Sequence, residues 1–243
     1  MDEKKKNTIK DNLRTIISAI LIAFFIRTFL LQPFTIPSGS MLPNLLVGDY
    51  LFVSKYSYGY SKYSIPFSPN IISGRLFGRK PTRGDVAVFR LPKDTSIDYI
   101  KRIIGLPGDT VKVLKGVVYV NNRPLDQSLF ETDYKYYKYY NPDKVLIESI
   151  EDKSYVTLNL DSESIGDNTG TYIVPKNHYF MMGDNRDNSL DSRFIEQVGY
   201  VPYENLIGRA EFLFFSSDRS IPLWKIWQWH KKYRLDRVFK KIR

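Results

Sequence analysis

A single apolar run near the start of the chain limits the architectures open to it. Over residues 13–31 the only polar side chains are Arg14, Thr15, Ser18, Arg27 and Thr28. As a helix, a run of this length measures about 28 Å at 1.5 Å per residue, enough to cross a hydrocarbon core of about 30 Å. Arg27 lies near the far end, where its long side chain can snorkel to the headgroups. Lys4, Lys5, Lys6, Lys10 and Arg14 cluster on the near side, and no Lys or Arg occurs from Gln32 to Ser54. The positive-inside rule then places the N-terminus in the cytoplasm and everything after Gln32 outside. A cleaved signal peptide is the competing reading, but no Ala-x-Ala site comes after the run. The expectation is therefore a single-pass protein of the cytoplasmic (inner) membrane. It has a cytoplasmic N-terminus (1–12), a transmembrane signal anchor (13–32), an extracytoplasmic or periplasmic domain (33–217) and a basic, aromatic tail (218–243).

Beyond the anchor the chain carries strand and turn signals. Leu45–Ser54 reads as a turn around Gly48-Asp49 followed by a strand, and further short β-branched and aromatic runs at 85–89, 98–104, 110–114, 116–120, 171–174, 179–182 and 210–215 are separated by Gly, Pro, Asn and Asp. That pattern predicts a mostly β domain, with a hairpin around Lys115-Gly116. Residues 56–79, rich in Tyr, Ser, Pro and Gly, read as an exposed loop. Residues 126–168 are polar and acidic and carry the cluster Tyr134, Tyr136, Tyr137, Tyr139 and Tyr140. They read as an inserted, mobile subdomain of short strands. Residues 223–243 hold eight Lys or Arg and one Asp, so +7 of the +10 net charge sits there. A charged surface tail is the better inference, and no nucleic-acid partner is indicated. The mixture of three tryptophans with cations suits anionic lipid headgroups, the alternative being a packed C-terminal helix. Nothing in the sequence sets the oligomeric state.

Three stretches concentrate reactive side chains. The first is Thr35-Ile36-Pro37-Ser38-Gly39-Ser40-Met41-Leu42-Pro43, just after the anchor. Its prolines keep it out of a helix or a central strand, so its plainest reading is a linker. The second is 99–109, where Lys101 sits in an apolar strand, a place lysine rarely occupies unless paired or functional. The third is 183–193, which packs Asp184, Asn185, Asp187, Asn188, Ser189 and Asp191 among Arg186 and Arg193. Calcium could use Asp184, Asp187 and Asp191, but the interleaved arginines and the spacing argue for turn-stabilising hydrogen bonds instead. The chain has no cysteine, which removes a thiol nucleophile, and only two histidines. His230 lies in the tail and His178 has no catalytic-looking neighbours. A serine nucleophile then needs a lysine base, desolvated enough to be neutral, and Lys101 is the best candidate.

Ser38-Gly39-Ser40-Met41-x-Pro43, Tyr99-Ile100-Lys101-Arg102 with Gly105-Leu106-Pro107-Gly108-Asp109, and Gly183-Asp184-Asn185-Arg186-Asp187-Asn188-Ser189-x-Asp191-Ser192-Arg193 resemble, in that order, the boxes of type I signal peptidases, the bacterial leader peptidase family. Together with Arg27 and Pro33-Phe34 the resemblance ties down residues 27–215. One departure is visible, a single apolar span where the best-known leader peptidase has two. The resemblance implies a signal-peptidase-like β-sheet catalytic domain and a serine endopeptidase that removes signal peptides from exported preproteins after small residues. It implies Ser40 as nucleophile and Lys101 as base. The oxyanion hole would use the Ser38 hydroxyl and the Ser40 N–H. Ser189 would hold Lys101, with Asp191 and Arg193 in support. No metal or organic cofactor is implied.

Within that reading Phe34, Ile36, Tyr99 and Ile100 are expected to flank the substrate, the alternative being plain core for Phe34 and Ile36. Arg102, on the other face of the strand, is expected to tolerate Lys better than Lys101 tolerates Arg. Two rival functions are a self-cleaving repressor-type Ser–Lys protease, which the anchor disfavours, and an anchored β-domain that only binds peptides.

Overall fold

The computed structural model describes residues 3–130, 144–159 and 164–242. The helix α1 spans Glu3–Phe25 and continues as a five-residue π-helical turn, Ile26–Leu30. Residues Lys10–Leu30 are long and apolar enough to cross a membrane, and nearly all of that surface is exposed. The helix ends earlier than the apolar run does. Leu31 already begins strand β1 (Leu31–Thr35), because Pro33 cannot continue a helix but is tolerated on an edge strand.

The mostly β domain is built on a seven-stranded antiparallel sheet. Its strands, numbered along the chain, are β1, β2 (Asp49–Ser54), β3 (Val86–Arg90), β4 (Asp98–Gly105), β12 (His178–Met182), β13 (Val201–Pro202) and β14 (Leu206–Ser216). The order across the sheet is β1-β2-β14-β3-β4-β12-β13. Four strands, β5 (Thr110–Leu114), β6 (Val117–Val120), β7 (Arg123–Pro124) and β11 (Tyr172–Ile173), form a second sheet. The hairpin turns at Lys115-Gly116, with Leu114 opposite Val117 and positive φ at both turn residues.

The insertion supplies β8 (Asp126–Leu129), β9 (Lys144–Ile150) and β10 (Lys153–Asn159), a third antiparallel sheet. Its described part is not a loose appendage. Leu158 packs with Leu42 and Leu46, and its N–H donates to the Asp184 carbonyl at 2.9 Å. Arg186 forks onto the fully buried Glu148, with Nη1 to Oε2 at 2.7 Å. The tyrosine cluster at 134–140 lies outside the described residues.

The loop at 56–79 also departs from expectation. Its short 3-10 turn Lys62–Ser64, capped by Ser61, is buried at Ser61, Tyr63 and Ser64. The tail divides into two parts. Its first half exposes Leu223, Trp224, Ile226 and Trp227. Its second half packs on the domain: the Phe239 N–H donates to Leu213 O at 2.7 Å and the Ile242 N–H to Glu211 O at 2.8 Å. Arg237, 1% exposed, forks onto the buried Asp49 at 2.6 and 3.1 Å and donates to the Asn44 carbonyl at 2.8 Å. Among the described residues of the tail no long amphipathic helix forms: the α-helical piece is Trp229–Lys232, flanked by short 3-10 turns at Ile226–Gln228 and Leu235–Arg237.

Candidate active site

Antiparallel pairing of β1 with β2, with Phe34 opposite Leu51 and Thr35 opposite Tyr50, carries the chain from the anchor into the core. The Ile36 N–H extends the ladder by donating to Asp49 O at 2.8 Å. The chain then leaves the sheet. Met41 and Leu45 enter one core cluster, while Leu42 and Leu46 enter another against the insertion. Four apolar side chains at i and i+4 spacing thus grip the segment after Ser40 from two sides. Asn185 holds it from a third: its N–H donates to Ser40 O at 3.1 Å and its Nδ2 to Gly39 O at 3.0 Å. Ser40 is left 8% exposed, with a fixed backbone.

Strand β4 brings Lys101 to this serine. Lys101 Nζ lies 2.6 Å from Ser40 Oγ and 3.1 Å from the Ile100 carbonyl, and it sits 5.2 Å from the Tyr99 ring centroid. Among the described residues no carboxylate touches the amine. Burial lowers the Lys101 pKa from 10.5 to about 8. Asp191 and Asp184 act against that shift from a distance, and Arg193 adds to it. A low pKa alone does not mark a base. Lys55, 1% exposed, is also brought to about 8, chiefly by burial and then by Arg27 and Arg90, with Asp98 opposing. Among the described residues its Nζ donates only to the Ser64 carbonyl and meets no hydroxyl to activate.

The 183–193 stretch holds the pair in place. Ser189 does not bond Lys101, which corrects the expectation drawn from the resemblance. Its Oγ donates to Asp191 Oδ2 at 2.8 Å. Asp191 also accepts from the Gly183 N–H at 3.0 Å and from Arg193 Nε and Nη2, each at 2.9 Å. The Asp191–Arg193 brace therefore exists, in a turn rather than on a strand. Gly183 is the residue whose need the sequence concealed. A Cβ there would stand 2.2 Å from Ser189 Oγ and 2.5 Å from Ser40 O, so only glycine lets the loop close on the serine.

Arg102, the next residue along β4, is fully enclosed. It is 0% exposed and forks onto Asp184, with Nε to Oδ1 and Nη2 to Oδ2 both at 2.7 Å. Its Nη1 donates to Gly84 O at 2.8 Å, and its guanidinium stacks 3.7 Å from the ring centroid of Tyr155 in the insertion. Asp184 also accepts from Asn44 Nδ2 at 2.7 Å. Asn44, Tyr155 and Glu148 went unnoticed in the sequence because no reactive neighbours flank them.

Ser38 is exposed, and neither its hydroxyl nor the Ser40 N–H makes a hydrogen bond among the described residues. Two donors beside the nucleophile are therefore unspent. Phe34 and Ile100 pack on one cluster although three strands separate β1 from β4 in the sheet order, so the sheet curls to bring them together. Ile36 belongs to that cluster at 2% exposure and underlies the surface rather than forming it. Tyr99 is half-buried on the Lys101 face. Among the described residues both flanking edges are open: β1 pairs only with β2, and β12 pairs with β4 only from Arg102 onward. The two histidines lie apart from this cluster. His178 Nδ1 is 2.8 Å from Lys176 O, and His230 is in the exposed part of the tail.

A family model described as signal peptidase, peptidase S26, matches residues 9–215. The chain is 38% identical over 257 residues to the Signal peptidase I of Rickettsia typhi (strain ATCC VR-144 / Wilmington), covering 98% of this chain and 96% of that protein. It is 38% identical over 256 residues to the Signal peptidase I of Rickettsia prowazekii (strain Madrid E), covering 97% and 94%. A crystal structure of a signal peptidase I from Enterococcus faecalis V583 aligns at 26% identity and a TM-score of 0.32, covering 54% of this chain and 97% of that one. The family match and the two near full-length relatives establish that the chain belongs to the signal peptidases of family S26, which are serine hydrolases.

Proposed function

We propose that this peptidase removes signal peptides from exported preproteins by a Ser–Lys dyad, while anchored by one helix with its domain on the extracytoplasmic face. The observation that carries the dyad is the 2.6 Å contact between Lys101 Nζ and Ser40 Oγ, made by a buried amine with no carboxylate against it. With the amine neutral, the serine hydroxyl donates to Nζ, and Oγ attacks the scissile carbonyl as its proton passes to Lys101. The tetrahedral oxyanion accepts hydrogen bonds from the Ser40 N–H and the Ser38 hydroxyl. On collapse, Lys101 returns the proton to the leaving amine, giving the free mature chain and an acyl ester on Ser40. Water, deprotonated by Lys101, attacks the ester, and the carboxylate of the signal peptide departs as Ser40 regains its proton. Every proton moves between substrate, water and these two side chains. Replacing Ser40 with Ala is expected to lower preprotein cleavage by at least about 10⁴-fold. Cleavage by that variant at a wild-type rate would leave a peptide-binding domain as the better reading.

The substrate fits as an added strand between the open edges of β1 and β4, with its side chains toward Phe34, Tyr99 and Ile100. The space above a packed cluster admits small side chains one and three residues before the cut. A bulky residue at either place must displace core groups, at about 1–3 kcal/mol each, or roughly tenfold to a hundredfold in kcat/KM. A preprotein carrying Leu at both positions and cut as fast as one carrying Ala would sink the pocket assignment.

The exposed first half of the tail suits an anionic membrane surface. Deleting 223–243 would also remove the Arg237–Asp49 pair, so substitution is the cleaner probe. Trp224→Ser with Trp227→Ser is expected to weaken binding of the anchor-free domain to anionic vesicles by about tenfold, since each ring brings on the order of 150–250 Å² of surface. Unchanged binding at low salt would dismiss this contact.

A further inference from the structure

Among the described residues, Asn185 alone hydrogen-bonds the main chain on both sides of the nucleophile. Its Nδ2 donates to Gly39 O at 3.0 Å and its N–H to Ser40 O at 3.1 Å. The Leu42 N–H is the second donor to Gly39 O, at 3.1 Å. The Gly39 carbonyl and the Ser40 N–H belong to one planar trans peptide, so they point in opposite directions. Holding that oxygen therefore aims that N–H, which is one of the two oxyanion donors. The Ser40 carbonyl belongs to the next peptide plane. With both planes held, φ and ψ of Ser40 are fixed, and with them the direction of its side chain relative to its N–H.

The fold itself gains little from an asparagine at this position. The residue is 0% exposed, and its Oδ1 has no hydrogen-bond partner among the described residues. Gly39 O can only accept, so the amide is the right way round and the orphan at its other end is an acceptor. A buried acceptor left unpaired lowers stability, whereas leucine fills a similar volume without one, and Gly39 O would keep the Leu42 N–H. What leucine cannot do is hold the Gly39–Ser40 peptide at one angle. The insertion supplies a rigid mount for that task. Leu158 of β10 donates its N–H to Asp184 O and accepts from the Arg186 N–H, both at 2.9 Å, and so clasps the two neighbours of Asn185. Arg186 is also tied to Gly183 O at 3.2 Å and to Glu148, and Asp184 to Arg102. A donor mounted in this way cannot drift with the peptide it holds.

We propose that Asn185 is a positioning residue for the oxyanion hole: through the Gly39 carbonyl it aims the Ser40 N–H at the oxygen that turns negative during attack, with the insertion as its mount. It touches no reacting atom. This rests on the reading of Ser40 as the nucleophile. The bound substrate carbonyl depends on that aim less than the oxyanion does, so the effect falls on kcat and not on KM.

Asn185→Leu in the full chain is expected to lower kcat for a preprotein by about 30-fold, less than the roughly 10²–10³ that follows removal of an oxyanion donor outright, with KM within about twofold of wild type. A peptide aldehyde ending in alanine gives a parallel readout. Ser40 Oγ adds to its carbonyl carbon, and the oxygen of the adduct takes the oxyanion position, so its inhibition constant should rise by about the same factor as kcat falls. The alkaline activity limb should keep its midpoint, because Lys101 is untouched. Asn185→Ala, with the same expectations, serves if the leucine variant does not fold. A folded variant with wild-type kcat overturns the proposal. So does a loss of kcat with unchanged aldehyde inhibition or with a displaced pH limb, since the fault then lies in the dyad. A loss matched by a proportionate rise in KM means general loosening and also overturns it. If neither variant folds, the fold itself needs Asn185, and the proposal falls. Ser40→Ala separates this role from the reading beneath it: where that variant is inactive, only the role of Asn185 is lost, and where it still cleaves, the nucleophile is lost as well.

Discussion

Replacing Lys101 with alanine is expected to give a folded protein whose preprotein cleavage falls by about 10⁴-fold, comparable to loss of Ser40, because the two act as one unit. In the wild type, activity should rise with pH through about 8, the value to which burial brings the Lys101 ammonium. The direction comes from the base: only the neutral amine accepts the serine proton, and at pH 7 roughly a tenth of such an amine is neutral. Lys101→His is expected to be inactive too, since a shorter ring does not reach the position Nζ holds 2.6 Å from Ser40 Oγ. Lys55→Met serves as the control for the second low-pKa lysine and should keep the alkaline limb. Stability has its own dependence on this amine. Lys101 has its folded pKa below its unfolded one, so the folded state binds fewer protons between about pH 8 and 10.5, and wild-type stability rises across that window. Below it the buried amine costs roughly 3 kcal/mol, which Lys101→Met should recover while losing activity. Urea unfolding and a preprotein assay on the same variants check both halves. A Lys101→Ala protein that is folded by circular dichroism and still cleaves would remove the dyad and return attention to His178.

The parts of this molecule that were legible in the sequence are those where one residue's chemistry decides the matter. Lys101 stood out because an unpaired lysine in an apolar strand has few explanations. The strands at 85–89, 98–104 and 110–120 announced themselves by β-branched residues between turn formers, and β3, β4, β5 and β6 lie there. What stayed hidden depends on approach between distant segments. Gly183 reads as an ordinary loop glycine until the Ser40 carbonyl is seen against it. Ser189 has the same hydroxyl whether it faces Lys101 or Asp191, and only the fold decides for Asp191. The insertion reads from sequence as a mobile subdomain because its polar composition signals solvent. Yet Glu148, Tyr155 and Leu158 are buried against residues 42–46, 102 and 184–186, contacts for which composition carries no sign.

Arg102→Lys is expected to destabilise the domain by about 3–5 kcal/mol, despite keeping the charge. The guanidinium makes two parallel bonds to Asp184, a third to the Gly84 carbonyl and a stack on Tyr155, all with 0% side-chain exposure on both partners of the ion pair. An ammonium can satisfy one carboxylate oxygen and cannot lie flat on the ring, so a buried charge is left partly unpaired. Asp184→Asn should cost a similar amount, because it leaves Arg102 buried without its counter-ion. Replacing both, Arg102→Met with Asp184→Leu, removes both buried charges and should be milder than either single change, since hydrophobic replacement of a whole buried pair is often close to neutral. Activity should not return with stability. Asp184 also accepts from Asn44 Nδ2, and Asn44 lies four residues beyond the serine, in the segment that Arg237 and Asn185 hold from other directions. Losing that tie loosens the placement of Ser40 against Lys101, and small misplacement at a nucleophile lowers kcat by about a hundredfold. Urea midpoints and kcat per acylatable serine separate the two effects. An Arg102→Lys protein within about 0.5 kcal/mol of wild type would show that the fork is not what holds the loop. A double variant with wild-type kcat would show that Asp184 serves the fold alone.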